Sequence, residues 1–174
     1  MIRKINKKAS IELSFNMIFS IILIIVFIAA ATYAIKKFMG ISQCSQVGIF
    51  KTELQNEIDK AWAGTGEYVY SKSLSIPSKI TYICFADRNA STGTGTYKDY
   101  FKDFKYSNKG NNFFFYPMKY ACDFKTLTIT HIDIKATTNN NQVNPYCIAV
   151  DNGKVDIKIN KGINDALVCI GDNC

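Results

Sequence analysis

With one histidine in 174 residues, the chain has little from which to build an imidazole-based site. It has no CxxC pair either, so its six cysteines do not read as a zinc centre. Neither GxSxG nor HExxH occurs, which removes a nucleophile elbow and a zinc-protease helix. The GTG in ASTGTGTYKD (90–99) has no following Lys-Ser/Thr, so that stretch reads as a surface loop, not a phosphate cradle. His131 sits in TLTITHIDI, where strand alternation puts it beside Leu127 and Ile129 as a half-buried structural side chain. Asp123, Asp133 and Asp156 leave open a loop carboxylate site for a cation. The expectation is a protein that is not an enzyme and needs no cofactor or resident metal.

Proline and glycine are also missing from Ser10 to Phe38. Between Phe15 and Ile35 only Asn16, Ser20, Thr32 and Tyr33 interrupt apolar or alanine positions. That run matches the roughly 20 residues a helix needs to cross the hydrocarbon core. Arg3, Lys4, Lys7 and Lys8 precede it and Lys36 and Lys37 follow, a bias that keeps the N-terminus cytoplasmic and sends the rest outside. The net charge is +7, but of 21 basic and 14 acidic residues, 17 and 13 lie beyond the run and are interspersed. No basic stripe remains for a nucleic-acid partner.

All six cysteines (Cys44, Cys84, Cys122, Cys147, Cys169 and Cys174) fall beyond the apolar run. In an external domain their even number favours disulfides. Cys84 and Cys147 lie in the strand-like YICFA and PYCIAV and are the best single pair. Cys169 and Cys174 flank the turn-like IGDN and pair locally, which leaves Cys44 and Cys122 unassigned. Asn89-Ala90-Ser91 is the only glycosylation sequon, placed in a polar loop.

The chain divides into a basic leader (1–9), a transmembrane or assembly helix (10–40) and an α+β head (41–174). Ser10 is a good N-cap with Glu12 in the first turn, and Met39-Gly40 permits a break. An amphipathic helix follows over 42–62, with Val47, Phe50, Leu54, Ile58 and Trp62 on one stripe. Strands are expected at 67–74, 79–86, 111–116, 126–134, 146–150, 154–159 and 166–170, and a short helix at 97–104. Asp151-Asn152-Gly153 predicts a hairpin turn, and TTNNNQVNP (137–145) a second surface loop. The fold class is therefore α+β: a long hydrophobic helix, an amphipathic helix, then an antiparallel β-rich head (67–170) wrapped against that helix.

Glu12, Asn16 and Ser20 follow one another in steps of four, which makes a polar stripe entering the membrane, with Ala30 and Ala34 as a small-residue pair further along. A short basic leader, the small Ala9, an acid soon after and a Pro-free hydrophobic helix resemble archaeal type IV pilin-like proteins. The soluble amphipathic stretch and β-rich head complete the resemblance in general layout. It implies a class III signal peptide cut by a prepilin-type peptidase between Ala9 and Ser10, which makes Glu12 third in the mature chain. A cut between Lys7 and Lys8 would make Glu12 fifth, the family's widespread spacing, with Lys where a small residue is usual. It also implies self-association or packing with other pilin-like subunits through the helix, in the cell membrane or a surface filament. Glu12 would then pair with a neighbour's free α-amino group and help set the register between helices. The rival reading is a single-pass anchored binding domain that does not polymerise.

Overall fold

A computed structural model describes residues 15–174 other than Ser107 and Asn173. Its first element is one helix, α1 (Phe15–Ala63), with no break at Gly40. A lone glycine costs a helix only about 1 kcal/mol relative to alanine, so Gly40 weakens the helix without ending it. By packing, however, the chain divides at this residue into Met1–Gly40 and Ile41–Cys174.

The second unit is α+β, as expected, and its antiparallel strands form two sheets. Its strands are β1 (Tyr68–Ser75), β2 (Tyr82–Phe85), β3 (Phe113–Tyr116), β4 (Thr126–Leu127), β5 (Tyr146–Ala149), β6 (Lys154–Lys161) and β7 (Cys169–Ile170). One sheet has the order β1-β6-β7 and the other β4-β3-β2-β5. Two short helices complete the unit, α2 (Phe101–Lys105) and α3 (Ile134–Thr137).

Side-chain period dictates the layers. In α1 the three- and four-residue spacing of Val47, Phe50, Leu54, Ile58 and Ala61 places all five in the core. Ala61 ends that buried stripe, whereas Trp62, expected on it, is 43% exposed. In β6 the alternation buries Val155, Ile157 and Ile159 and leaves Lys154, Asp156 and Lys158 outside. Phe113, Phe114 and Phe115 of β3 are all fully buried because their sheet is covered on both faces. Phe113 and Phe115 meet Phe50, with ring centroids 6.3 and 5.7 Å away. Phe114 points the other way and stacks on Phe104 of α2 at 4.8 Å.

The turn at 151–154 corrects a second expectation. Asp151 and Lys154 exchange both backbone hydrogen bonds, and Asn152 and Gly153 take positive φ of 48° and 73°. That is the geometry of a tight two-residue turn. Yet β5 pairs with β2 while β6 pairs with β1, so the turn passes the chain from one sheet to the other and makes no hairpin.

The strand expected over 126–134 shrinks to Thr126–Leu127. Beyond it a side chain replaces the ladder: Asn112 donates from Nδ2 to the Ile129 carbonyl and accepts from the Ile129 N–H, both at 2.8 Å. The expected surface loop at 137–145 is partly interior, since Thr137, Thr138 and Asn144 are buried. Asn144 accepts from the Asp87 N–H at 3.1 Å and donates to the Asp87 and Ser91 carbonyls at 2.9 and 3.1 Å. The Gly93 N–H donates to the Asn144 carbonyl, so the two expected loops are bonded to each other.

Candidate functional site

Of the residues expected to govern processing and assembly, Ala9, Ser10 and Glu12 lie outside the described residues. Asn16 and Ser20 are exposed one turn apart on α1. The Ser20 hydroxyl donates to the Asn16 carbonyl at 2.8 Å, and that of Thr32 to the Ala29 carbonyl at 2.9 Å. Both hydroxyl protons are therefore satisfied within the helix, and of the polar stripe Ser20 has no donor left over for a neighbour.

Every residue from Phe15 to Ile41 is exposed, including Phe15, Phe27 and Phe38 at 80, 68 and 72%. Removing one such side chain from water is worth about 1.5–3 kcal/mol, so a naked cylinder of them is unsuited to an aqueous surface. Length and composition make this helix able to cross a membrane, and it suits the protein to membrane anchoring.

The head is braced by three disulfides, and none of its cysteines is free. Cys84 and Cys147 stand directly opposite each other on β2 and β5, with Cα atoms 4.1 Å apart. Cys169 and Cys174 bridge the C-terminal turn. Cys44, in α1, joins Cys122, whose positive φ of 54° turns the chain after Tyr120. Three such bridges fit an extracellular head.

His131 does not occupy the strand face expected for it. It lies in a turn at φ 66°, stacked on Trp62 with ring centroids 3.8 Å apart and planes 3° from parallel. Its Nδ1 lies 2.9 Å from Asp59 Oδ1, which also accepts from Gln55 Nε2 at 2.7 Å. Gln55 in turn accepts from the Thr130 N–H at 3.0 Å, and the Trp62 indole N–H donates to the Ala166 carbonyl at 3.1 Å. Gln55, Asp59 and Trp62 follow at helical spacing, so one edge of α1 clasps the 130–131 turn. The sequence reading missed this clasp. Its one signal was the polar residues flanking the buried stripe.

Asp133 caps α3, accepting from the Ala136 N–H at 2.9 Å. Among the described residues no three His, Cys, Asp or Glu side chains form a metal-holding group, so the acids at 123, 133 and 156 do not meet as one. Asn89 is exposed, and its N–H donates to the Asp87 carboxylate at 2.9 Å. An open cleft of about 570 Å³ runs past Val69, Asn160 and the Cys169–Cys174 bridge. Next to it Lys158 pairs with Asp172, whose hydrogen bond and charge raise the lysine pKa. Burial raises that of Tyr146, with the Asp172 charge adding to it. The Tyr146 hydroxyl also occupies the space a Cβ on Gly171 would need, so only glycine fits there.

Comparison of the chain with protein-family models, with curated proteins and with solved structures finds no match.

Proposed function

We propose that this chain is a structural, pilin-like subunit that assembles through its N-terminal helix and carries a disulfide-braced head outside the cell. The observation that supports the reading most is the apolar surface of α1, exposed on every side from Phe15 to Ile41 and so open to lipid and to like helices together. In this reading the leader stays cytoplasmic, the peptidase cuts after Ala9, and Glu12 meets the α-amino group of a neighbouring subunit. A carboxylate and an ammonium taken together into a low-dielectric bundle hold each other in register, and either one alone is costly there. Asn16, one turn deeper, adds a carboxamide to the same face.

Intact mass of the protein taken from native membranes tests processing, with a chain beginning at Ser10 expected. Glu12→Gln tests assembly, because the amide keeps the shape and removes the charge. The expected outcome is a folded head, an inserted helix and a reduced ratio of filamentous to membrane-dispersed protein. An uncut leader together with an unchanged ratio would overturn the proposal.

One observation favours the second reading, an anchored domain that does not polymerise. Ser20 and Thr32 satisfy their hydroxyl protons within their own helix, so neither requires a neighbour. On this reading Asn16→Leu leaves the distribution of the protein unchanged.

A further inference from the structure

The end at which the chain enters the head is defined by how later residues line up along α1. Cys44 is bonded to Cys122, Gly48 faces the Phe124 ring, Gln55 meets Thr130 and Asp59 meets His131. Segment 122–131 therefore runs along α1 away from Ile41, and the 118–120 turn just before it lies at the entry end. The fully exposed stretch of α1 stops at Ile41, three residues before Cys44, so chain reach alone keeps Cys44 within about 11 Å of it. At this end two lysines share one ring: the Lys79 and Lys119 Nζ atoms lie 5.6 and 4.9 Å from the Tyr120 centroid. Both are exposed, and among the described residues neither forms an ion pair with a carboxylate. Asp123 is offset in charge by Lys125, and Asp151 by Lys154 in the turn bonded to Ile76, so Lys79 and Lys119 are the surplus. An open hollow of about 450 Å³ lies among Cys44, Gly48, Ile49 and Phe124, with Ile49 53% exposed. Glu53, one turn further from Ile41, bounds it.

We infer that this entry end is a docking surface for anionic lipid headgroups, so that the head rests on the membrane its own helix enters. Lys79 and Lys119 are point charges on flexible stems that reach phosphate groups. The half-buried Tyr120 between them is the kind of amphipathic ring that favours the headgroup level. The hollow beside Ile49 meets apolar surface at the acyl boundary. Two observations select lipid over other occupants. The surplus charge is positive, and the exposed apolar helix that suits a membrane ends within chain reach of Cys44. The opposite end of the head lies out of range of such a surface. There Lys161 donates to the Gly64 carbonyl at 2.6 Å, and α1 rises about 28 Å between Cys44 and Ala63, several Debye lengths. The inference rests on the membrane helix and holds whether or not subunits polymerise.

The test is amine footprinting of the full-length chain in vesicles, using a membrane-impermeant reagent and peptide mapping. Lys135, exposed on α3 and lining a cleft with Lys161 at the opposite end, is the internal reference. Vesicles of phosphatidylcholine alone are compared with vesicles in which phosphatidylglycerol replaces part of it. With the anionic lipid present, Lys79 and Lys119 should react about fivefold more slowly relative to Lys135, the effect of holding one lysine near an anionic surface. Ile49→Glu puts a carboxylate into the hollow at an already exposed position. It should return the ratio to its phosphatidylcholine value with all three disulfides retained. Equal ratios in the two lipids, or slowing that survives Ile49→Glu, would overturn the inference. The same slowing produced by soluble glycerol phosphate would make this a free-anion site, and slowing that grows with protein-to-lipid ratio in phosphatidylcholine would make it a contact with a second copy. Either result overturns it as well.

Discussion

Between Phe15 and Gly40 helix α1 carries apolar side chains on every side, all exposed; between Ile41 and Ala63 it carries a single apolar stripe, and that stripe is fully buried. Both stretches are α-helix, and both are rich in large aliphatic and aromatic residues. What separates them is angular distribution, which fixes the medium each can tolerate. An all-round apolar cylinder asks for lipid or other such cylinders, while a stripe asks for a core on one side and water on the other. Phe27 and Phe50 make the contrast concrete, one 68% exposed and the other 0%.

The sharpest way to break this comparison is to truncate the same residue type in both stretches. Phe50→Ala should destabilise the head by about 3–5 kcal/mol, because a ring packed against Phe113 and Phe115 leaves a cavity. Phe27→Ala should leave unfolding of the head unchanged. Denaturant unfolding of the full chain in detergent, followed by head-specific fluorescence, measures both.

Of comparable size is covalent bracing, which the head has and the first stretch lacks. Cys44–Cys122 spans a sequence separation of 78 residues and Cys169–Cys174 one of 5. Loop-closure entropy then predicts losses of about 4–5 and about 2 kcal/mol when each pair is replaced by serines. Peptide mapping without reductant should confirm that the remaining bridges are native in each variant. Equal losses would mean that strain or local packing, not chain entropy, sets their worth.

Asn144→Ala should cost about 1–3 kcal/mol, since it strands the Asp87 N–H and two carbonyls beside a buried site. Hydrogen exchange should show the loss of protection concentrated around residues 87–95.

The smallest effect concerns pH. The folded-state pKa values of Lys158 and Tyr146 are both raised, so each favours its protonated form more in the folded head than in the unfolded chain. The stabilisation is complete below the unfolded values of about 10–10.4 and is lost as pH rises past them. Asp172→Asn should flatten this alkaline decline and change stability near neutrality very little, because the ion pair is exposed.

The parts of this fold that were legible in the sequence are those with a period. The membrane-length run, the stripe Val47-Phe50-Leu54-Ile58 and the alternation of β6 each repeat on the scale of their own element. The Cys84–Cys147 bond was read from two apolar strand-like segments, and the structure places those segments side by side. What was not legible depends on single side chains standing in for backbone. Asn112, Gln55 and Asn144 each offer a carboxamide that both donates to and accepts from the backbone of one residue, Ile129, Thr130 and Asp87 respectively. A carboxamide has the donor and acceptor of a peptide group, so it can end a strand or close a loop without secondary structure. Nothing in local periodicity announces which amide will meet which peptide. That is why the stretch 126–134 read as a longer strand and 137–145 as a plain loop. For the assembly residues the limit is different: Ala9, Ser10 and Glu12 rest on sequence alone.

The interleaving of two bridges has a mechanical consequence. Cys44–Cys122 and Cys84–Cys147 overlap in sequence, each closing a loop that contains one end of the other. Tension entering through the helix leaves it at Cys44 and crosses directly to Cys122, so β1, β2 and β3 lie on a slack branch that bears no covalent load. From Cys122 the load runs to Cys147 along the chain, the shortest of the covalent paths, and the longer routes through Cys84 and the second bridge stay slack. Only the stretch after Cys147 is in simple series, and it contains β6, the central strand of its sheet. A pull on the C-terminus would therefore peel β7 and β6 first and reach a hard stop at Cys147, with the aromatic core around Phe113 still enclosed.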